Sequence, residues 1–180
     1  MDYLFRVPRS QRLSTYEDLL RRYVAPLRRL VWAYEREPSA REDLFQEIAM
    51  ALWTALPRFR GDASERTWIY RVAHNTAISF VANRRRRHGR EGGEAAREPA
   101  DLATPERAAI EQQRREWLQR AVRDLPLPDR QVVVLYLEGL SATEIQEVTG
   151  ISAAAVATRL TRIRQKLAAR IAERGNQEVR

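Results

Sequence analysis

The sequence predicts an all-α protein of two small helical domains joined by a flexible acidic linker, the C-terminal one carrying a helix-turn-helix. Three observations predict it. Apolar residues recur at helical spacing through most of the 180 residues, and the valine run at 132–134 is the one strand-like patch. Residues 88–104 are rich in Gly, Ala, Glu and Pro and show no apolar stripe. Residues 138–167 hold a helix start signal, a glycine stop and a second start signal in the order that two helices and a tight turn require.

The first helix fits residues 15–36. Ser14 and Glu17 form a capping box, and Leu19, Leu20, Tyr23, Val24, Leu27, Leu30, Val31 and Tyr34 make the stripe; Pro26 predicts a kink. A second helix begins after Ser39, boxed by Glu42, and runs through Leu44, Ile48, Leu52 and Ala55 to stop at Pro57. A loop follows, Arg58-Phe59-Arg60-Gly61-Asp62-Ala63. The third helix carries Trp68, Ile69, Val72, Ala73, Thr76, Ala77 and Phe80, then runs out through Arg84, Arg85, Arg86 and Arg87. Trp53 and Trp68 fall on apolar stripes and read as core aromatics.

These elements set the domain plan: 1–87, a linker 88–104, a second domain 105–174 and a tail 175–180. Across 88–106 five acids oppose Arg90 and Arg97, a net charge of −3. As a flexible coil such a linker spans roughly 23 Å, enough to let the domains occupy separate sites. Thr104-Pro105-Glu106 opens the second domain as N-cap, N1 proline and acidic first turn. Its first helix runs through Trp117, Leu118, Ala121, Val122 and Leu125 to Pro126, and helix is the consistent reading from Pro128 to Gly139.

In the helix-turn-helix, Ser141 and Glu144 make a capping box, so the first helix starts near Ala142. Gly150 supplies the left-handed residue that ends it. Ser152 can cap the second helix, whose stripe is Val156, Leu160, Ile163, Leu167 and Ile171. Its remaining surface between Ser152 and Arg174 holds six cations against Glu173, a net charge of +5 suited to a polyanion.

Composition narrows the classes of function. A net charge of +8 and a pI near 10.6 favour a nucleic-acid or acidic partner. The absence of cysteine removes disulfides, the usual cysteine zinc fingers and thiol nucleophiles. The N-terminus has no apolar h-region and no run is long enough to span a bilayer, so a soluble cytoplasmic protein is expected.

The two blocks together resemble a bacterial RNA polymerase sigma factor of the extracytoplasmic-function (ECF) type. Region two is carried by Glu42-Asp43-Leu44-Phe45-Gln46-Glu47, Leu52-Trp53, Phe59-Arg60-Gly61 and the run from Thr67-Trp68-Ile69-Tyr70-Arg71 through Asn75 to Ala77. Region four is carried by Leu125-Pro126-Leu127-Pro128-Asp129-Arg130-Gln131, Glu138-Gly139-Leu140-Ser141 and Thr158-Arg159-Leu160.

The resemblance implies a dissociable initiation subunit with no catalytic residue, cofactor or metal. Asp43, Gln46 and Glu47, which share a helix face, would bind core RNA polymerase; spacing alone fits a solvated surface at least as well. Phe59, Gly61, Asp62, Ala63 and Asn75 would receive a flipped base of the melted minus-ten element, where an amide can read a base edge and an aromatic can stack. Arg84, Arg85, Arg86 and Arg87 suit duplex phosphates. Thr158, Thr161 and Arg162 would read the minus-thirty-five element, with Arg130, Ser141 and Arg159 on phosphates; Arg162 is the arginine assigned to a base, since guanidinium pairs bidentately with guanine. The implied partners are core polymerase, duplex promoter DNA, the melted non-template strand and, by resemblance, an anti-sigma factor.

The chain departs from the family pattern at several places. Gln146 stands where a small alanine is usual, Ala154, Ala155 and Ala157 leave few base-reading side chains, and Glu65 and Ser79 replace a common aromatic and a common aspartate. Two other classes compete. A stand-alone helix-turn-helix regulator would bind duplex operator without polymerase. A helical metal-dependent hydrolase would use Glu42, Asp43 and Glu47 with a histidine, but neither His74 nor His88 follows a glutamate at the Glu-x-x-His spacing.

Overall fold

The computed structural model describes residues 9–88 and 117–178, with side chains described for 15–87 and 117–171. The expected linker beyond His88 and the proline-opened start at Thr104 lie outside the described residues. The described elements are α1 (Arg9–Tyr34), α2 (Pro38–Ala55), a 3-10 turn (Leu56–Arg58), α3 (Glu65–His88), α4 (117–123), α5 (Leu127–Leu137), α6 (Ala142–Thr149) and α7 (Ala153–Glu178).

Two of the expected helix starts are displaced. α1 already runs through Ser14, so Ser14 cannot act as its cap. α2 begins at Pro38, because a proline at the first helical position has its φ pre-set and no N–H to leave orphaned. Ser39 is then inside the helix and donates to Glu37 at 2.7 Å, while Glu42 accepts from Arg28 at 3.1 Å instead of boxing the cap. α1 continues on both sides of Pro26, carried by the buried Leu19, Leu27, Leu30 and Val31. Each such leucine contributes on the order of 1.5–3 kcal/mol, and together they outweigh one missing hydrogen bond.

α1, α2 and α3 pack against one another around Leu27, Leu30, Leu44, Ile48, Leu52, Ile69 and Ala73. Trp53 is not a core aromatic: it is 36% exposed, edge-on to Tyr16 at 5.0 Å. Trp68 is half-buried against the cluster.

The valine run is helical. Val132, Val133, Val134 and Leu135 are all buried because α5 packs on α1 as well as on α6 and α7, which leaves it no solvent stripe for most of its length. Gly139 closes α5 with φ +80°, and the bonds Gly139 N to Tyr136 O and Leu140 N to Leu135 O complete a Schellman ending.

The two helical groups join. α5 packs on α1 and α6 on α3, so that their buried side chains form a single apolar cluster. Polar bonds rim the junction. Arg29 grips the buried carboxylate of Glu138 with two nitrogens at 2.6 and 2.8 Å, and Tyr70 donates to the same carboxylate at 3.1 Å. Burial first, and the Glu138 charge second, push the Tyr70 hydroxyl up, so it remains a donor. Arg130 donates to the carbonyl of Ala33 at 3.0 Å, and the Arg123 guanidinium lies 3.7 Å from the centre of the Trp32 ring.

Candidate nucleic-acid interface

The loop before α3 is built by a glycine and a serine. Gly61 adopts φ +79°, and Ser64 caps α3 by accepting from the Thr67 N–H at 3.0 Å. The turn places Phe59 against Trp68, ring centres 4.9 Å apart and tilted by 37°. Gly61 and Asp62 are exposed, and Ala63 is half-buried. Asn75 is exposed two turns beyond Trp68, at a spacing that puts both on the same side of α3. The structure therefore gathers a supported aromatic, an open turn and a free-standing amide along one flank.

The four arginines ending α3 do not behave alike. Arg84 is half-buried and pairs with Glu35 at 2.6 Å and with Glu37. Arg85, Arg86 and Arg87 are exposed, Arg86 bonding only its neighbour Asn83 among the partners described for it. One charge of the run is thus neutralised within the fold, and three face solvent.

Asp43, Gln46 and Glu47 lie exposed on α2 and line a cleft of about 530 Å³. Phe80, Asn83, Arg84 and Arg87 of α3 form its other wall, and Met50, 71% exposed, sits in its lining. The cleft thus sets an apolar thioether among the acids of α2 and opposite the arginines of α3.

In the helix-turn-helix the local signals hold. Ser141 accepts from the Glu144 N–H at 3.2 Å while Glu144 accepts from the Ser141 N–H at 2.8 Å, and these bonds to Ser141 hold the Glu144 carboxyl below its ordinary value. Gly150 takes φ +74°, and Ser152 accepts from the Ala155 N–H at 3.3 Å. Gln146 turns outward and caps α7, accepting from the Ala153 N–H at 2.7 Å. An alanine at 146 could not do this. The α7 stripe is buried at Val156, Leu160 and Ile163 and half-buried at Leu167, but it stops there: Ile171 is 58% exposed.

Thr158 and Thr161 are exposed, and each hydroxyl donates to the carbonyl four residues before it, at 3.0 and 3.1 Å. Their oxygens keep lone pairs for an amino group such as that of cytosine or adenine. Arg159 and Arg162 both reach the carboxylate of Asp129, which is 1% exposed at the start of α5. Arg164 donates to the Tyr136 hydroxyl at 2.7 Å and lies over its ring, and Arg170 pairs with Asp124 at 3.3 Å. Sequence reasoning missed Asp129 and the capping role of Gln146. An aspartate in the first turn of a helix is an ordinary dipole partner, and nothing local points across thirty residues to two arginines.

Among the described residues no group of three or more His, Asp or Glu is arranged to hold a metal ion, and no helix is long and apolar enough to cross a membrane. His74 is buried and bonded to Tyr34 at 2.7 Å, whereas Glu42, Asp43 and Glu47, the acids with which the hydrolase alternative would combine it, are exposed.

Residues 19–87 match the Sigma-70 region 2 family and residues 115–167 the Sigma-70, region 4 family. The chain is similar to the RNA polymerase sigma-H factor of Pseudomonas aeruginosa, 28% identical over 90% of this chain and 88% of that protein. It is also similar to the ECF RNA polymerase sigma-E factor of Escherichia coli K12, 30% identical over 69% of this chain and 70% of that protein. Among solved structures it resembles CnrH in complex with the cytosolic domain of CnrY, with TM-score 0.63, 24% identity and coverage of 89% of this chain and 90% of that one. The sigma factor RpoE in complex with the anti-sigma factor NepR from Bartonella quintana gives TM-score 0.62 and 19% identity, covering 84% of this chain and 94% of that one.

Proposed function

Because the chain belongs to the extracytoplasmic-function sigma factors, and so directs RNA polymerase to promoters at initiation, we propose how its residues divide that work. Residues 1–87 and 105–174 are its working units, joined by 88–104, a division supported by the region 2 and region 4 matches. The α2 face of Asp43, Gln46 and Glu47, with its cleft, docks on core polymerase. Phe59, Gly61, Asp62, Ala63 and Asn75 take a base from the melted minus-ten strand, and Arg85, Arg86 and Arg87 hold duplex phosphates beside it. Thr158, Thr161 and Arg162 read the minus-thirty-five element from α7, while Ser141 and Arg159 hold its backbone. Arg130 joins them once its bond to Ala33 is released.

The observation that carries this reading is the exposed Asn75 on the flank of the Phe59–Trp68 pair, since an ordinary duplex-binding regulator has no use for an aromatic and an amide set out to take up one unpaired base. No covalent chemistry is asked of the chain, and its place of action is the cytoplasm, with the polymerase. CnrH and RpoE were each solved with a second protein, and a partner of the anti-sigma class is proposed here by likeness.

The test is run-off transcription from a genomic template pool with purified chain and core polymerase. Selected start sites are expected; failure to bind core or to select any start site refutes the reading. Asn75→Ala is expected to leave closed-complex affinity unchanged and lower open-complex formation roughly tenfold to a hundredfold, the worth of one base contact; equal loss of both removes it from the melted strand. Arg162→Ala is expected to weaken promoter binding by about 1–3 kcal/mol and to relax one base position, read by binding to a randomised duplex pool.

A further inference from the structure

The arginines of α7 are held from behind by the scaffold they stand on. Asp129 belongs to α5, yet its buried carboxylate accepts from Arg159 Nη1 at 2.8 Å and from Arg162 Nη2 at 2.8 and 2.9 Å. A carboxylate this buried needs charged partners, and here it has two. The arrangement leaves the guanidiniums usable. Arg162 spends only Nη2 on Asp129 and is 52% exposed, so Nε and Nη1 stay available to DNA; Arg159 spends Nη1 and is 33% exposed. Two cations against one anion also leave a net positive charge facing outward.

We propose that Asp129 is a positioning residue for promoter reading: from α5 it fixes the side-chain geometry of Arg159 and Arg162 and thereby sets the sequence discrimination of α7. The proposal rests on the assignment of Arg162 to the minus-thirty-five element. A long arginine normally has to be ordered when it binds, and the rigid guanidinium fork reads guanine only in one orientation. Asp129 imposes that order beforehand. Removing its charge does not remove a cation from the DNA face, so sequence-independent attraction persists while discrimination falls.

The experiment uses holoenzyme reconstituted from the full chain and core RNA polymerase. Duplexes are selected from a randomised pool by the wild-type holoenzyme, and affinities for selected and scrambled duplexes are then measured for wild type, Asp129→Asn, Asp129→Glu, Arg162→Ala and the double variant Asp129→Asn/Arg162→Ala. Far-UV circular dichroism sets a temperature at which each chain is folded. Asp129→Glu keeps the charge and displaces it by one methylene, so it tests position where the asparagine variant tests charge. The expected result is a loss of discrimination on the order of tenfold in both Asp129 variants, with affinity for scrambled duplexes held. The asparagine effect should vanish in the Arg162→Ala background. If Arg162→Ala lowers discrimination and the Asp129 variants do not, or if their effect persists undiminished without Arg162, the proposal is overturned and the reading of α7 stands. If Arg162→Ala itself leaves discrimination unchanged, the reading of α7 fails and the proposal fails with it.

Discussion

Leu135→Ala is expected to destabilise the whole molecule by about 2–5 kcal/mol, lowering the melting temperature by roughly 4–20 °C in one transition. Leu135 is fully buried on α5, the helix packed between α1 and the helix-turn-helix, and it belongs to an apolar cluster that runs through both helical groups. Cutting it to alanine removes transfer energy and leaves a cavity that helices on both sides can only partly fill. Tryptophan positions make the test clean. Trp32, Trp53 and Trp68 lie on α1, α2 and α3, and only Trp117 lies in the later helices, so fluorescence reports mainly on the part of the chain that does not carry the substitution. The fluorescence and far-UV circular dichroism midpoints should fall together. A fluorescence midpoint that stays in place while the dichroism splits would show the two groups unfolding independently.

Such coupling is the aspect of the fold least legible in the sequence. Signals confined to a few neighbours are readable: the Ser141–Glu144 box, Gly150 as the left-handed stop, and the stripe Val156, Leu160 and Ile163 all appear in the structure as their chemistry dictates. The boxes expected at Ser14 and Ser39 show how a local signature loses to a stronger neighbour. Pro38 claims the N1 position of α2, and α1 simply begins earlier than its box. Long-range pairs leave no periodic trace at all. Glu138 stands in a turn before Ser141, and nothing near it foretells that its carboxylate is buried against Arg29, 109 residues away, and Tyr70. The same holds at the DNA face. Arg159 and Arg162 are visible as cations on a basic helix, but their common anchor Asp129 is visible only once α5 and α7 are packed together.

Stability is also expected to fall by about 3 kcal/mol between pH 7 and pH 4 on account of His74 alone. Its ring is 6% exposed, with Nδ1 2.7 Å from the Tyr34 hydroxyl and the two rings edge-to-face at 6.0 Å. Burial pushes the imidazole from its ordinary 6.5 down to about 4, because the apolar surroundings at the α1–α3 crossing cannot solvate a cation. The folded chain therefore holds His74 neutral at pH values where the unfolded chain already binds a proton. Stability from this group is complete above pH 6.5 and is lost at about 1.4 kcal/mol per pH unit as pH falls towards 4, below which both states carry the proton. Carboxylates titrate in part of the same window, so the measurement is a difference. His74→Gln keeps a hydrogen-bonding group beside Tyr34 and does not titrate, and urea unfolding of both proteins at matched pH cancels every shared group. The glutamine amide is a poorer fit for the imidazole's space, so the variant should be the weaker protein at pH 7.5 and should gain on the parent steadily below pH 6.5. Parallel stability curves from pH 7.5 to pH 4 would mean that His74 accepts its proton in the folded state, and that the crossing of α1 and α3 is open to water.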